Sequence, residues 1–319
     1  MKVSVLVPVY NLERFIKPCL ESLLSQQTAF DFEVIAIDDG SSDGSWAIMQ
    51  QLATQWPQLR ALQNPQNMGV CRTIRRLLEL SKGEYLAYVD GDDLAMPGKL
   101  QALANYLDEN PSCGFVYHEA EVFDSDTNQI ISLFSRDYYN AKYIPSRAKP
   151  EHLVLYGLFF NTSSCCFRRH SRMIEAVNTN CSVVNDYSWH ILNSMYLEGG
   201  IDFIPHIYGR YRVHKNSICG SIRSSQERRQ LALDDMLYAC DLAQSLGMPD
   251  DIVEKGKCHL LFSTALFFLR AKNISLFERY IVESAKYQWF FDERHEFALH
   301  NMSSPEMVYE KIFQSKTIN

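Results

Sequence analysis

Three carboxylates surround one glycine in the segment Asp90-Gly91-Asp92-Asp93, directly after the apolar run of residues 85–89. Such a run, rich in aromatic and β-branched side chains, predicts a buried strand. Side chains two residues apart on an extended chain point to the same side, so Asp90 and Asp92 would repel each other. A divalent cation, which prefers oxygen ligands, would relieve that repulsion. The alternative interpretation is an acidic turn, because Asp and Gly are ordinary turn residues.

A second pair of acids, Asp38 and Asp39, follows another apolar run at residues 32–37. The loop that they open carries no positive charge, and it lacks the lysine or the Gly-x-Gly-x-x-Gly spacing of a phosphate-binding loop. Carboxylates at this position suit hydrogen bonds to ribose hydroxyls or to the N–H of a base. A helix cap followed by a solvated turn is the alternative.

Later in the chain, two further positions have side chains that could complete a site. Asp186 precedes a helical pattern, where it is either a helix cap or a general base. Arg212 and His214 follow a predicted strand, where an arginine can bind phosphate and a histidine can bind a metal ion. For a single histidine, a partly buried structural role competes with the metal-binding role.

The elements that must position these residues alternate between strand and helix through the first hundred-odd residues. This alternation predicts an α/β fold with right-handed crossovers and a mostly parallel sheet. Strands are predicted at residues 2–9, 32–37, 59–63, 85–89 and 114–118. The carboxyl ends of parallel strands share one edge, where open sheets bind ligands, so the acids would meet there.

The second half of the chain gives weaker signals. Residues 124–150 are predicted to form a long loop, a type of segment that often has a function. Two short strands are predicted at residues 201–204 and 206–211, and beyond Ser221 the pattern is helical. Aromatic side chains cluster at residues 287–291. A packed core is the favoured interpretation of this cluster, and a membrane-contacting or oligomer face is the alternative.

The composition of the 319-residue chain is that of an ordinary globular protein, with 46% hydrophobic residues. The net charge of −7 argues against a nucleic-acid partner. No apolar run has membrane-spanning length, and the first residues do not have the pattern of a secretion signal. Nine cysteines in this setting indicate reduced thiols, so we expect a cytoplasmic protein.

Short segments in a fixed order resemble the inverting glycosyltransferases of family 2, which have the GT-A fold. In chain order the first five are Pro8-Val9-Tyr10-Asn11, Asp38-Asp39-Gly40-Ser41-Ser42-Asp43-Gly44, Asn67-Met68-Gly69, Gly83-Glu84-Tyr85 and Asp90-Gly91-Asp92-Asp93. Three later segments agree, and they are Ser163-Ser164-Cys165-Cys166-Phe167-Arg168-Arg169, Asn185-Asp186 and Tyr211-Arg212-Val213-His214.

The resemblance covers about residues 1–221. It implies a Rossmann-like GT-A domain there, with a mixed, mostly parallel sheet. The nucleotide-sugar half would be at about 1–120 and the acceptor half at about 121–221. Residues 222–319 carry none of these segments and are predicted to form a C-terminal helical domain.

The same resemblance implies a role for each matching residue. The implied donor-binding residues are Pro8, Tyr10, Asp38, Asp39, Arg72, Asp90 and Gly91. The implied ligands of a Mn²⁺ or Mg²⁺ ion are Asp92 and His214, with Asp90 as a further candidate. Asp186 would deprotonate the acceptor hydroxyl, which would then attack the anomeric carbon and invert it.

The implied activity is that of a hexosyltransferase, which moves a sugar from a nucleotide-sugar donor, most simply a UDP-sugar, to a glycan or a lipid-linked saccharide. Polysaccharide biosynthesis is the expected setting. The enzyme would be cytoplasmic, with a peripheral membrane contact through its C-terminal helices or a homo-oligomer as further expectations. A sugar nucleotidyltransferase would need a basic, glycine-rich N-terminal loop, which this sequence lacks. A non-catalytic nucleotide-sugar binder would not need all of Asp90, Asp92 and Asp186.

Three positions depart from the family pattern. Ile74 stands where the family has an arginine, and of the neighbours Arg72 and Arg75 we favour Arg72 as its replacement. Asn185 stands where the family has a glutamate, which leaves the base in place but changes its neighbour. In the Gln-x-x-Arg-Trp pattern of processive members, Gln226 and Arg229 fit, but Gln230 replaces the tryptophan. This last difference predicts transfer of one sugar at a time.

Overall fold

The computed structural model describes residues 1–215 and 217–314, so positions 315–319 of the predicted C-terminal region lie outside the described residues. The strands form one sheet. They are β1 (Val3–Val9), β2 (Phe32–Asp38), β3 (Leu59–Gln63), β4 (Tyr85–Tyr88), β5 (Leu94–Ala95), β6 (Cys113–Asp124), β7 (Ile130–Leu133), β8 (Arg147–Ala148), β9 (Cys165–Arg168) and β10 (Gly200–Val213). Their order is β3-β2-β1-β4-β9-β6-β10-β5, with β7 beside β6 and β8 beside β10.

The first four strands in this order run parallel to one another. β1 pairs with β2 and with β4, and β2 pairs with β3. Val5, Leu6 and Val7 are fully buried, as expected for a parallel strand that is covered on both faces. β9 is antiparallel to β4 and β6, whereas β10 is parallel to β6. The predicted α/β fold with a mixed sheet is therefore confirmed.

Helices cover both faces of this sheet. They are α1 (Ile16–Leu24), α2 (Ser45–Ala53), α3 (Val70–Leu80), α4 (Lys99–Glu109), α5 (Pro150–Tyr156), α6 (Asp186–Tyr196), α7 (Ile218–Ser224), α8 (Gln226–Ser245), α9 (Asp250–Arg270), α10 (Ile274–Ser284), α11 (Glu293–His300) and α12 (Pro305–Tyr309). Helices α1, α2 and α4 share one hydrophobic core with Val5 and Val7 of β1. Helix α3 and most of the later helices share a second core, which includes Leu6.

One prediction for the second half was wrong in its division of strands. The two short strands expected at residues 201–204 and 206–211 form the single long strand β10. Its pairing with β6 shifts register between Ile204 and Ile207, because two residues there have no counterpart on β6. Pro205 lies in this bulge, and since proline has no N–H to donate to a ladder, a bulge is a position that accepts it.

The loop predicted at residues 124–150 is less irregular than expected. It contains β7, which forms a hairpin with β6, and β8, which pairs with β10. Ile130 and Ile131 are each 57% exposed, so β7 has no buried face and shows no alternation of apolar and polar residues. The strand was missed because hydrogen bonds to its neighbour, rather than burial, hold it in place.

The C-terminal helical region packs directly on the sheet domain, because α8, α9 and α10 contribute to the same core as α3 and α6. The predicted domain boundary at residue 221 lies within α7 and stays a prediction. In the aromatic cluster, Tyr287 and Phe291 pack against this core, and the Phe291 ring stacks on His259 at 4.0 Å. In the described parts of the chain, every helix is too short or too polar to cross a lipid bilayer.

Candidate active site

A cavity of about 610 Å³ lies at the carboxyl ends of the parallel strands. Residues from β1, from the loops after β2 and β4, and from helices α6, α8 and α9 line it together. Eight of the residues predicted for the site are in its wall, and they are Pro8, Tyr10, Asp39, Asp90, Gly91, Asp92, Asp186 and His214. Asp38 and Arg72 are not. The structure thus brings together acids from three distant parts of the sequence.

Asp90 is held by hydrogen bonds from two hydroxyl groups. The Tyr88 hydroxyl donates to Asp90 Oδ1 at 2.8 Å, and the Ser163 hydroxyl donates to Asp90 Oδ2 at 3.4 Å. The Ser163 carbonyl in turn accepts a hydrogen bond from Nζ of the buried Lys99 at 2.5 Å. Burial, together with the charge of Asp92, raises the pKa of Asp90 to about 7. The position of Asp90 is therefore fixed while its charge is poorly compensated.

Asp92 lies against the carboxyl end of β10. Its Oδ2 is 2.9 Å from His214 Nε2, and its backbone carbonyl accepts a hydrogen bond from Arg212 Nε at 2.7 Å. The backbone N–H of Arg212 donates to Asp93 Oδ1 at 2.8 Å. These contacts join the loop after β4 to the end of β10, so the two segments form one acidic corner of the cavity.

The residues in this corner fit a divalent cation. Asp93 Oδ2 is buried without a hydrogen-bond partner, and burial together with the neighbouring carboxylates raises the pKa of Asp93 well above its usual range. Asp92 and His214 offer an oxygen and a nitrogen ligand on one side. No group of three or more His, Cys, Asp or Glu side chains among the described residues forms a metal site. Two protein ligands are enough where substrate phosphates supply the others, as is common for Mg²⁺.

The two acids after β2 have different surroundings. Asp39 accepts hydrogen bonds from the backbone N–H groups of Met68 and Gly69, each at 2.9 Å, and from the Asn64 amide at 2.6 Å. It therefore holds the turn before α3 against the cavity. Asp38 is fully buried and accepts hydrogen bonds from the Ser41 N–H and the Gln63 amide, which places it behind the cavity wall.

The arginine predicted to contact the donor does not reach the cavity. Arg72 is exposed on α3 and is not among the lining residues. Its neighbour Arg76 donates to Asn64 Oδ1 at 2.5 Å and to the Gln63 carbonyl at 3.0 Å, so it supports the Asp39 loop from the side. The site role of Arg72 remains a prediction that this geometry does not favour.

Asp186 is the first residue of α6 and lies in the cavity wall. Its Oδ2 accepts a hydrogen bond from the Thr162 hydroxyl at 3.4 Å, and its Oδ1 accepts one from the N–H of Tyr187 at 2.9 Å. Enclosure by the surrounding protein raises the pKa of Asp186 above its usual range. A carboxylate with a raised pKa takes up a proton more readily, which is the property that a general base needs.

Sequence reasoning missed several residues that hold the site in place. Tyr88 is two positions before Asp90 on an extended chain, and this spacing could have indicated that the two side chains meet. Asp235 of α8 accepts hydrogen bonds from the N–H groups of Ser182, Val183 and Val184, just before Asp186. No motif connects Asp235 with Asp186 in the sequence, because 49 residues and several elements separate them.

A model of the glycosyl transferase family 2 matches residues 4–174, which is more than half of the chain. The chain belongs to glycosyl transferase family 2. This match covers the strands that carry Asp39, Asp90 and Asp92, and the family predicted from the short segments is confirmed. It ends before Asp186, so the α6 end of the cavity and the C-terminal helices lie outside the matched residues.

Other family members and solved structures resemble the chain to different extents. An uncharacterized protein of Mycobacterium tuberculosis is 28% identical over 221 residues, which cover 69% of this chain and 61% of that protein. The chain therefore spans about three fifths of the length of this relative.

Two solved structures show the same fold at low sequence identity. The crystal structure of S. aureus TarS 1–349 with UDP-GlcNAc superposes with a TM-score of 0.65 at 16% identity, and the match covers 100% of this chain and 93% of that one. The mannosyltransferase PcManGT of Pyrobaculum calidifontis, with GDP-Man and Mn²⁺, gives a TM-score of 0.61 at 15% identity and covers 99% and 88%. The expected GT-A fold is thus confirmed.

Proposed function

We propose that this family-2 protein transfers one sugar from a UDP-sugar to a hydroxyl group of a glycan or lipid-linked saccharide, with inversion at the anomeric carbon. The observation that carries the proposal is the shared cavity, in which Asp186 faces the same space as Asp39, Asp90 and Asp92. A transferase needs a base for the acceptor next to a donor site, and this cavity holds candidates for both.

The donor would bind at the strand ends. Asp39 and the turn that it holds, together with Pro8 and Tyr10, would form the nucleoside pocket. Asp92 and His214 would hold a Mn²⁺ or Mg²⁺ ion, which supplies charge neutralisation for a leaving nucleoside diphosphate. Tyr88 and Ser163 would keep Asp90 oriented towards the donor through the hydrogen bonds described above.

The acceptor would enter from the α6 side. Asp186 would accept the proton of the attacking hydroxyl at its carboxylate, while Thr162 and the Tyr187 N–H fix the orientation of that carboxylate. An acceptor oxygen approaching from this side attacks the anomeric carbon opposite to the leaving diphosphate, and inversion follows.

The test is a panel of nucleotide sugars that includes UDP-GlcNAc, UDP-glucose and GDP-mannose, assayed for nucleoside diphosphate release and for binding, with Mn²⁺ or with EDTA. We expect binding of UDP-sugars that depends on the metal, and release that depends on an added saccharide acceptor. Asp186→Asn should retain UDP binding and lose transfer by a factor of 100 or more, whereas Asp31→Asn on the surface should behave as wild type. Donor binding without transfer to any acceptor would show a binding protein, and full transfer by Asp186→Asn would reject the base.

A further inference from the structure

The guanidinium group of Arg229, on the first turn of α8, lies in the cavity wall on the side formed by the C-terminal helices. One of its terminal nitrogens donates to the Thr264 hydroxyl at 3.1 Å and to the Ser263 hydroxyl at 3.3 Å. Its Nε is buried without a hydrogen-bond partner among the described residues. No carboxylate in the described parts of the chain forms an ion pair with it.

The positive charge of Arg229 is partly buried in the cavity wall without a carboxylate partner among the described residues, and this needs an explanation. Buried charged groups in proteins are generally paired or bind ions, because removing a charge from water is costly. Among the described residues, the neighbours of Arg229 are neutral. Its guanidinium group contacts two hydroxyl groups and the ring of Phe267, 5.4 Å away, and the Tyr139 side chain lies near it. Burial also lowers the pKa of Arg229, which agrees with the absence of a carboxylate partner among the described residues. The missing counter-charge is therefore expected on a ligand in the cavity.

The surrounding wall narrows the choice of ligand. Tyr138, Tyr139, Met236 and His259 line this part of the cavity, and none of them carries a negative charge. Burial lowers the pKa of His259 to about 4, so this side chain is neutral at pH 7. A guanidinium group binds the oxygen atoms of phosphate and carboxylate groups with two parallel hydrogen bonds. This wall therefore suits an anionic group attached to a larger molecule that fills the rest of the cavity.

We propose that the acceptor carries a negatively charged group, a phosphate ester or a carboxylate, and that Arg229 binds it. This proposal rests on the proposed function, because it names the class of acceptor for that same cavity. The diphosphate of the donor is another anionic group that Arg229 could bind. The donor's predicted partners, Asp92 and His214, belong to the loops at the strand ends, whereas Arg229 belongs to the helices that follow.

The test uses the full chain saturated with UDP and Mn²⁺. Calorimetry measures binding of glycerol 3-phosphate and glucuronate, with glycerol and glucose as their uncharged counterparts. We expect at least one charged probe to bind at least tenfold more tightly than its counterpart. Arg229→Gln should remove that difference and leave UDP affinity within twofold. The matched control is Arg228→Gln, because Arg228 is adjacent and exposed, and it should change neither measurement.

Two results would overturn the proposal. Equal affinity for charged and uncharged probes in the wild type would mean that the wall does not select anions. A tenfold loss of UDP affinity in Arg229→Gln would assign the guanidinium to the donor diphosphate. If Arg229→Gln does not fold, Arg229→Lys keeps the charge and should retain part of the preference. Failure of the proposed function itself would be distinct, because the wild type would then either not bind UDP or not transfer sugar to any acceptor.

A second observation concerns Asp235, also on α8 and only 7% exposed. Its carboxylate accepts hydrogen bonds from three successive backbone N–H groups, those of Ser182 at 2.8 Å, Val183 at 2.6 Å and Val184 at 2.8 Å. These residues precede α6 and belong to no helix or strand themselves. We infer that Asp235 is a positioning residue. It holds the segment before Asp186 in place and thereby orients the carboxylate of Asp186.

Hydrogen exchange and kinetics test this role together. Asp235→Asn places an NH₂ group or a weaker acceptor against these N–H groups, so exchange at residues 182–184 should rise at least tenfold. Turnover should fall at least tenfold with unchanged UDP affinity, and the acidic limb of the pH–rate profile should move to lower pH as water reaches Asp186. Asp234→Asn, one residue away and exposed, is the control.

The role of Asp235 can be tested independently of the proposed function, because the hydrogen-exchange measurement needs no substrate. Faster exchange with an unchanged acidic limb and unchanged turnover would reject the positioning role while leaving the transferase in place. If Asp235→Asn does not fold, Asp235→Glu keeps the carboxylate and should restore most of the protection and the acidic limb. Slow exchange in Asp235→Asn would also reject the inference.

Discussion

His214 Nε2 lies 2.9 Å from Asp92 Oδ2, although 122 residues separate the two in the sequence. The contact joins the end of β10 to the loop after β4 and orients the imidazole towards the acidic corner. The His214 ring also packs against the Phe15 ring at 4.8 Å, which limits its movement. Two groups with metal-binding chemistry are therefore held side by side in the structure.

The first prediction follows from this pair. Asp92→Asn and His214→Gln should each weaken UDP binding in the presence of Mn²⁺ by a factor of 10–100, because each removes one candidate ligand, and a lost charge-assisted contact costs about 1.5–3 kcal/mol. Calorimetry with UDP and Mn²⁺ measures the effect, and EDTA should reduce the wild type to the same level. His206→Gln, on an exposed position of the same strand, is the control. Unchanged affinity in both variants would exclude this pair as ligands.

The second prediction concerns pH. Because the pKa of Asp186 is raised, its charged, base-competent form is lost at a higher pH than for an ordinary aspartate, whose pKa is about 3.9. The rate of transfer should therefore fall as the pH decreases, with a midpoint above that value, while UDP affinity follows a different profile. Turnover measured against pH at saturating donor checks this. A midpoint at or below 3.9 would contradict it.

The third prediction concerns the turn before α3. Asp39 accepts hydrogen bonds from two backbone N–H groups of this turn. Asp39→Asn would place an NH₂ group against one of these N–H groups and displace residues 68–69. We expect UDP affinity to fall about tenfold or more, since an unsatisfied buried group costs about 1–3 kcal/mol. Calorimetry with UDP measures it, and Asp31→Asn controls for a change of surface charge. Wild-type affinity would show that the turn does not contact the nucleoside.

The fourth prediction concerns the contact between α5 and α9. At Gly256, an added Cβ would lie 2.6 Å from Val154 Cγ1 and 2.7 Å from the Val154 carbonyl oxygen, and the second atom belongs to the backbone. Gly256→Ala should therefore lower the free energy of unfolding by about 1–3 kcal/mol, although alanine favours a helix. Urea unfolding measures this, with Glu254→Ala on the exposed face as the control. A stabilised Gly256→Ala would contradict the close approach.

The fifth prediction concerns His190, which is fully buried with both ring nitrogens unpaired and with a pKa lowered to about 3. The unfolded chain takes up a proton at this position below pH 6.5 and the folded chain does not, so stability falls between pH 6.5 and 3. The loss is about 1.4 kcal/mol per pH unit. His190→Leu should lose less stability than the wild type between pH 7 and 5 in urea unfolding. An equal loss would mean that His190 is protonated in the fold.

The sequence allowed prediction of the elements whose apolar residues are buried and whose ends are marked by polar or acidic residues. β1, β2 and β4 are mostly apolar runs that end near polar or acidic residues, so both their type and the edge that carries Asp39 and Asp90 could be predicted. β7 and the bulge at Pro205 could not, because hydrogen bonds to a neighbouring strand determine them. The role of Asp235 could not be predicted for a similar reason, because its partners are backbone N–H groups, which leave no pattern in the sequence.

The cavity wall has two origins in the sequence. The strand-end loops that carry Asp39, Asp90 and Asp92 lie within residues 4–174, whereas Asp186, Arg229 and His259 come from the part of the chain beyond them. With the roles proposed above, an exchange of α8 and α9 would replace the wall that holds Arg229 and His259, while Asp92 and His214 stay in place. Chimeras joined between α7 and α8 would then inherit their sugar donor from one parent and their glycan target from the other.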